Sequence, residues 1–430
     1  MSICPLPDLE FEAVLTDIRS ALLSSVSENI AAPEILRFQS VLALQCFTNE
    51  YVYTQNDKET EALETLKLEI EKTLSDGRQP SPQSVLCLAS YVSLNNFEWI
   101  DLLFVTTNVE DVVVRQVLEP KEEIRLKSDI PILQEITDKV SSKVREQYEG
   151  NPYPRWVNLG TYFKPKTTSK FVKDINLRLY DNEIIHVAAP NILIAGCGTG
   201  QHPIGTASRF KDAKVLAVDL SLSSLAYAKR KTAEIGVQNI KYMQADILDL
   251  GKLDQQFDLV ESAGVLHHMN DPMAGWRVLT SCLKPGGLMN IGLYSELSRE
   301  HIVKIREEIK QLGLGASNYA MKSFRGEVIE SDKEHHKRII KSSDFYSLST
   351  LRDLLFHVQE HRFTIPQLQG CLGELGLKFC GFDADNIIQN FQRMNTGADD
   401  PYDLDKWHSY EQANPYVFQG MYRFWCQKVS

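Results

Sequence analysis

Apolar positions along this chain follow two rhythms. Between residues 191 and 293 they come in short unalternating runs: Asn191–Ala195, Lys214–Val218, Ile240–Gln244, Phe257–Ser262 and Leu288–Leu293. A run without alternation is buried on both faces, as in a parallel strand covered by helices. The stretches between them carry helical spacing. Over Leu222–Ile235 the positions Leu222, Leu225, Ala226 and Ala233 share one face, which leaves Lys229, Arg230 and Lys231 outside. Trp276–Leu283 reads as another helix, and Lys284–Gly287 as the turn into the fifth strand. Strands alternating with helices predict a doubly wound α/β core.

Outside that stretch the rhythm is three-to-four. Phe11–Val26, Glu34–Tyr53, Glu59–Leu74 and Ser84–Leu94 read as helices, with Asp76-Gly-Arg-Gln-Pro80 as a stop signal. Downstream, Thr364–Leu375 predicts a helix, Lys378–Phe382 a sixth strand and Tyr422–Gln427 a terminal strand. The expected organisation is a helical accessory domain over 1–135, a connector over 136–190, the core over 191–294, a lid-like insertion over 295–363, and closing elements over 364–430.

Candidate chemistry sits at the end of the first strand. Gly196, Gly198 and Gly200 make a G-x-G-x-G turn before a helical stretch beginning near Pro203. Glycine lets the backbone turn sharply where a Cβ would collide with a ligand. Open α/β sheets bind ligands at this carboxyl end. Asp219, about 20 positions on, is placed for ribose hydroxyls. Asp246 after the third strand suits an exocyclic adenine amine, with Ile247 covering a ring face.

The ordered segments AGCGTG, VLAVDLS, QADILDL, FDLVESAGVLHHM and LKPGGLMNIGLYS resemble the motifs of class I S-adenosylmethionine-dependent methyltransferases. The resemblance implies a Rossmann-like core with a helical N-terminal domain and a helical insertion after strand five. It also implies S-adenosyl-L-methionine as cofactor. The positions assigned to cofactor are Gly196, Gly198, Gly200, Gln201, Asp219, Leu220, Asp246, Ile247, Glu261 and Arg155. Asn151-Pro-Tyr-Pro-Arg-Trp156 further resembles a bacterial methyltransferase subgroup often joined to tetratricopeptide repeats. Rickettsial protein lysine methyltransferases are similar in general layout.

Composition narrows the partners. The net charge is −11, from 46 basic and 57 acidic residues. Such a surface repels phosphate backbones, so a nucleic-acid substrate is not expected. No signal-peptide pattern or bilayer-length apolar run appears, so membrane insertion is not expected and a cytoplasmic location is. The eight cysteines stand singly, as buried thiols in a reducing compartment do. Cys197 inside the glycine turn reads as a space-filling residue. The acceptor is expected to be a protein side chain or a small molecule, and exposed helical faces suggest a homodimer.

Other patterns compete for roles. Arg155 among Tyr148, Tyr153 and Trp156 reads equally as part of a structural clasp and as a grip on the methionine carboxylate. His357-Val-Gln-Glu-His361 matches a zinc-peptidase pattern but falls in an insertion, and no metal ligands are assigned. Tyr227-Ala-Lys-Arg-Lys231 matches Y-x-x-x-K, with its basic residues read as a solvated helix face. His335-His336 is expected in solvent. His267, His268 and Tyr294 are the catalytic candidates, as bases or a hydroxyl facing the acceptor. A nicotinamide oxidoreductase is the rival of another class, but Gln201 stands where its third glycine belongs. A non-catalytic cofactor-binding scaffold is the other.

Overall fold

A computed structural model describes residues 1–26, 32–160 and 164–429. Residues 161–163 of the expected connector lie outside the described ones. The chain divides into two compact units. A helical unit comprises Met1–Arg125, Pro154–Leu159 and Lys304–Phe356; a sheet unit comprises Leu126–Tyr153, Gly160–Val303 and His357–Ser430.

The sheet unit carries seven strands: β1 (Asn191–Ala195), β2 (Lys214–Asp219), β3 (Ile240–Gln244), β4 (Phe257–Ala263), β5 (Leu283–Leu293), β6 (Leu377–Phe382) and β7 (Tyr422–Lys428), in the order β3-β2-β1-β4-β5-β7-β6. Neighbours from β3 to β5 run parallel, and β7 is antiparallel to both β5 and β6. This is the expected Rossmann-like doubly wound fold. Successive residues of β1 serve opposite layers: Leu193 and Ala195 join the cluster around Trp276, Leu279 and Phe424, while Ile192 and Ile194 join Phe171, Phe210 and Trp425. That is why the run could not alternate.

Two details depart from the sequence expectation. The Lys284–Gly287 turn lies inside β5, where Gly286 has φ +74° and the β4–β5 register shifts. Arg230 and Lys231 are buried, not solvated: they pair with Glu234 one turn on, and the Arg230 guanidinium lies over the Tyr227 ring.

Pro131–Leu133, expected in the accessory domain, extends the β3 edge. Gln244 N–H donates to the Pro131 carbonyl at 2.9 Å, and Leu133 N–H donates to Gln244 at 2.9 Å.

In the helical unit, Leu9–Ser24, Pro33–Thr48, Asp57–Ser75 and Pro82–Ala89 enclose a core containing Leu23, Ala43, Leu66, Ile70, Leu86 and Leu88. The expected lid is largely part of this unit. Arg325, on the helix Asn318–Ile329, forms a buried bidentate pair with Glu12 at 2.6 and 2.7 Å and donates to the Phe345 carbonyl at 2.8 Å. Glu50, at φ +59°, joins all three segments: one carboxylate oxygen is 3.4 Å from Arg155 Nε, and the other accepts from Ser349 N–H. Residues 304–356 are thus held to the N-terminal helices by partners that no local pattern announces.

Candidate active site

The site is built where β1, β2, β3 and β4 end, all within the sheet unit. At β1 the chain enters the glycine turn with φ +75° at Gly196, +52° at Gly198 and +95° at Gly200. A Cβ on Gly196 would lie 2.2 Å from Val265 Cγ2. Only glycine satisfies both demands at Gly196, because left-handed backbone costs an L-residue and the space is already filled. Gln201 opens the helix Gln201–Arg209, and Cys197 is buried, its thiol pushed well up by desolvation. It packs and does not attack.

Asp219 closes β2 and faces back to this turn. Its Oδ2 accepts from Gly198 N–H at 2.8 Å and its Oδ1 from Ser221 N–H at 3.0 Å. Burial raises its carboxyl above the ordinary range despite those bonds, and the Glu149 charge adds to the rise. Each oxygen keeps acceptor capacity for a further donor. Leu220 follows, half-buried.

Glu149 is a carboxylate that sequence reasoning missed. Its Oε2 accepts from Ser221 Oγ at 3.0 Å and Ser223 N–H at 3.1 Å, and its Oε1 meets Lys127 Nζ at 2.7 Å. Burial would raise this carboxyl, but the Lys127 bond and the serine donors bring it below its ordinary value. It lies in the last turn of the helix Lys139–Gly150, whose N-cap Asp138 accepts from Val140 and Ser141. That capping signal, just ahead of the aromatic motif, was the available clue.

Asp246, after β3, is buried and caps the turn Ile247–Lys252 by accepting from Leu248 N–H at 3.0 Å. Burial raises its carboxyl, against a hydrogen bond from Ser141. Ile247 beside it is buried too.

Two assigned positions are engaged elsewhere. Glu261, wholly buried in β4, takes a 2.5 Å contact with His202 Nε2 and a 2.9 Å bond from Thr206 Oγ1. Burial would raise it, yet the His202 bond and charge bring it down to about 2. Through Oε2 it ties the helix behind the glycine turn to β4. Arg155 belongs to the helical unit, held by Glu50 and lying over Phe47 at 6.0 Å.

The catalytic candidates do come together. The loop after β4 carries His267 and His268, and Tyr294 follows β5. His267 stacks on Tyr294 at 3.7 Å, and Arg299 lies 3.6 Å from the Tyr294 ring centre. Arg299 is itself held by Glu360 at 2.7 and 3.1 Å. His268 stacks on His357 at 3.6 Å, and each Nδ1 lies 2.7 Å from the Gln359 carbonyl oxygen. A carbonyl only accepts, so His268 carries a proton on Nδ1, whereas His357 Nδ1 also lies 3.2 Å from the Gln359 N–H. Residues 357–361 are not helical, which removes the i, i+4 geometry of the peptidase pattern. Instead they return along the site: His361 N–H donates to the His267 carbonyl at 2.7 Å, and Phe363 N–H to that of Tyr294 at 2.9 Å. His267 is fully buried, and among the described residues neither of its ring nitrogens has a hydrogen-bond partner. Burial, then the charges of His268 and Arg299, push its pKa well down, so it is a neutral imidazole.

Among the described residues no helix is long and apolar enough to cross a membrane. Residues 192–287 match the family model described as "Methyltransferase domain". An uncharacterized protein of Synechococcus sp. is 32% identical over 232 residues, covering 51% of this chain and 56% of its own. A ubiquinone biosynthesis O-methyltransferase of Marinobacter nauticus is 36% identical over 140 residues, 31% of this chain and 55% of that protein. The chain thus spans about half the length of these curated relatives. Among solved structures, PKMT2 from Rickettsia typhi aligns with TM-score 0.46 and 15% identity over 64% of this chain and 53% of that one. The glycine turn, Asp219, Asp246 and the paired histidines all lie within the stretch that matches the methyltransferase domain.

Proposed function

We propose that the protein is an S-adenosylmethionine-dependent methyltransferase acting by in-line displacement on a nucleophilic acceptor. The observation that carries this is the glycine turn tied directly to Asp219, with Asp246 and Ile247 at the next strand end. The residues fit the ligand. Gly196–Gly200 would take the methionine part, Asp219 with Glu149 behind it the ribose, and Asp246 with Ile247 the adenine. When bound, the cofactor supplies a methyl group on a sulfonium centre. The chain's own part is to orient the acceptor and manage its proton. His267, neutral and without hydrogen-bond partners among the described residues, offers one donor and one acceptor at the carboxyl end of β4 and β5. Tyr294, clamped between His267 and Arg299, fixes that imidazole in place. Positioning of this kind supplies much of a displacement's rate without a strong base.

A protein amine such as a lysine is the leading acceptor, supported by the net charge of −11 and by the large helical unit. The motif at 151–156 supports kinship with the bacterial subgroup described above. A small hydroxyl- or amine-bearing molecule is the second reading. It is favoured by the buried His267–Tyr294 stack, which suits a compact acceptor, and by the similarity to an O-methyltransferase. Titration calorimetry with S-adenosylhomocysteine against NAD tests the cofactor: binding of NAD alone would overturn the reading. Transfer of radiolabelled methyl to cell lysate, fractionated into protein and metabolite pools, decides the acceptor, and label in neither pool removes the enzymatic reading.

A further inference from the structure

We propose that Glu308, His335 and His336, all in the helical unit, form a site for one divalent transition-metal ion of the zinc class. Adjacent residues on a helix point about 100° apart, so neighbouring histidines ordinarily serve different surroundings. Here both, on the helix Glu334–Ile339, turn Nε2 to one carboxylate. His335 Nε2 lies 2.7 Å from one Glu308 oxygen, and His336 Nε2 2.9 Å from the other. The three ligand atoms all fall within 4.8 Å of one another. His336, expected in solvent, is 4% exposed and rests edge-on against Phe324 at 6.3 Å, so the protein has already fixed one imidazole.

The dimensions suit an ion. Zinc binds imidazole nitrogen and carboxylate oxygen at about 2.0–2.2 Å, which sets tetrahedral ligand atoms about 3.4 Å apart. The two nitrogen–oxygen contacts, 2.7 and 2.9 Å to different oxygens of Glu308, are shorter than that by about 0.5–0.7 Å. Two imidazoles with one carboxylate favour zinc, cobalt or nickel over calcium or magnesium, which prefer all-oxygen sets. Each neutral imidazole then carries its proton on Nδ1, and no redox change is involved. Three protein ligands leave a fourth position for water. Lys333 is the competitor: its Nζ sits 3.0 Å from the Glu308 carboxylate, on a side chain 55% exposed and able to swing away.

That competition gives the test two opposite signs. Full-length protein is titrated with ZnCl2 at pH 7.5, above the ordinary histidine pKa, and Co2+ absorption reports the ligand type. The expected result is one high-affinity ion per chain with nitrogen and oxygen ligation. His335→Asn and Glu308→Gln should each weaken it at least tenfold, Lys333→Met should tighten it severalfold, and His186→Asn, at an exposed position, should change nothing. Zinc should also raise the thermal midpoint of the wild type but not of His335→Asn, whose ion-free midpoint checks that the variant folds. No saturable binding, a thiolate-type Co2+ spectrum, or unchanged affinity in both His335→Asn and Glu308→Gln overturns the proposal.

Discussion

The sheet unit and the helical unit are held together by different kinds of information. In the sheet unit, residues 191–293 contribute five strands in chain order, and each strand's burial follows from its own run of apolar residues. In the helical unit, three separated segments meet, and the joints are polar and long-range: Glu12 with Arg325 across 313 positions, and Glu50 with Ser349 across 299. The lesson is that a periodic pattern specifies an element and its buried face, whereas specific charged partners decide which distant element covers that face. If so, removing one charge should injure the helical unit most, while removing shape should injure the glycine turn.

The sharpest break is Arg325→Met. The Glu12 carboxylate would remain buried without its bidentate partner, and the Phe345 carbonyl would lose a donor. Breaking a buried pair on one side costs about 3–5 kcal/mol. Chemical denaturation should show that loss in the transition reporting the helical unit, with S-adenosylhomocysteine affinity retained wherever the sheet unit stays folded. The double variant Glu12→Met/Arg325→Met should recover much of it, because no orphan charge remains. A single-variant loss below about 1 kcal/mol would remove the pair as a determinant of that unit.

Gly196→Ala probes shape in the other unit. The new Cβ would sit 2.2 Å from Val265 Cγ2 at φ +75°. Left-handed backbone costs about 1–2 kcal/mol and overpacking about 1–3 kcal/mol, for a total of about 2–5 kcal/mol. Adding Val265→Ala should return the overpacking share and leave the backbone share. Equal loss in the single and double variants would place the whole effect in the backbone.

The same contrast explains what was legible. The places of Gly196, Asp219 and Asp246 at strand ends were legible because they are set by distance along the chain from a strand. Glu149 was not: it reaches Ser221 from 72 positions away, from a segment whose only local mark is the Asp138 cap. Glu261 was assigned to the cofactor because it lies in a motif, but its orientation is fixed by His202 and Thr206 on a neighbouring helix. The partner that the structure gives Arg155, Glu50, likewise lies 105 positions upstream in sequence numbering. His267 and Tyr294 were legible as types at strand ends, while their stacking required the sheet to set β4 beside β5.

Asp219→Ala measures how far the short-range logic reaches function. Losing the acceptor of a charge-assisted hydrogen-bond pair should weaken S-adenosylhomocysteine binding by about 2–3 kcal/mol, read by calorimetry. Gly198 N–H would also lose its acceptor, so Asp219→Asn is the finer probe, keeping a carbonyl for one donor. Unchanged affinity in both variants would remove Asp219 from the ribose position.

The smallest effect, and the most specific, concerns protons at His267. Its folded pKa lies well below the ordinary 6.5, because burial and the charges of His268, Arg299, His357 and His361 oppose protonation. Between those two values the unfolded chain binds a proton that the folded chain refuses. Stability therefore falls as pH drops below 6.5, by about 1.4 kcal/mol per pH unit for this one group, and the fall ends at the folded pKa. Above 6.5 both states are neutral and the contribution is flat. His267→Asn should remove this component while leaving those of the other histidines, so the stability difference between wild type and variant should slope from pH 6.5 to 5 and be level from 7 to 8, ranges set by the ordinary histidine value. A parallel pair of curves would mean that His267 takes up its proton in the folded state, and with it would go the neutral imidazole on which its role beside the acceptor depends.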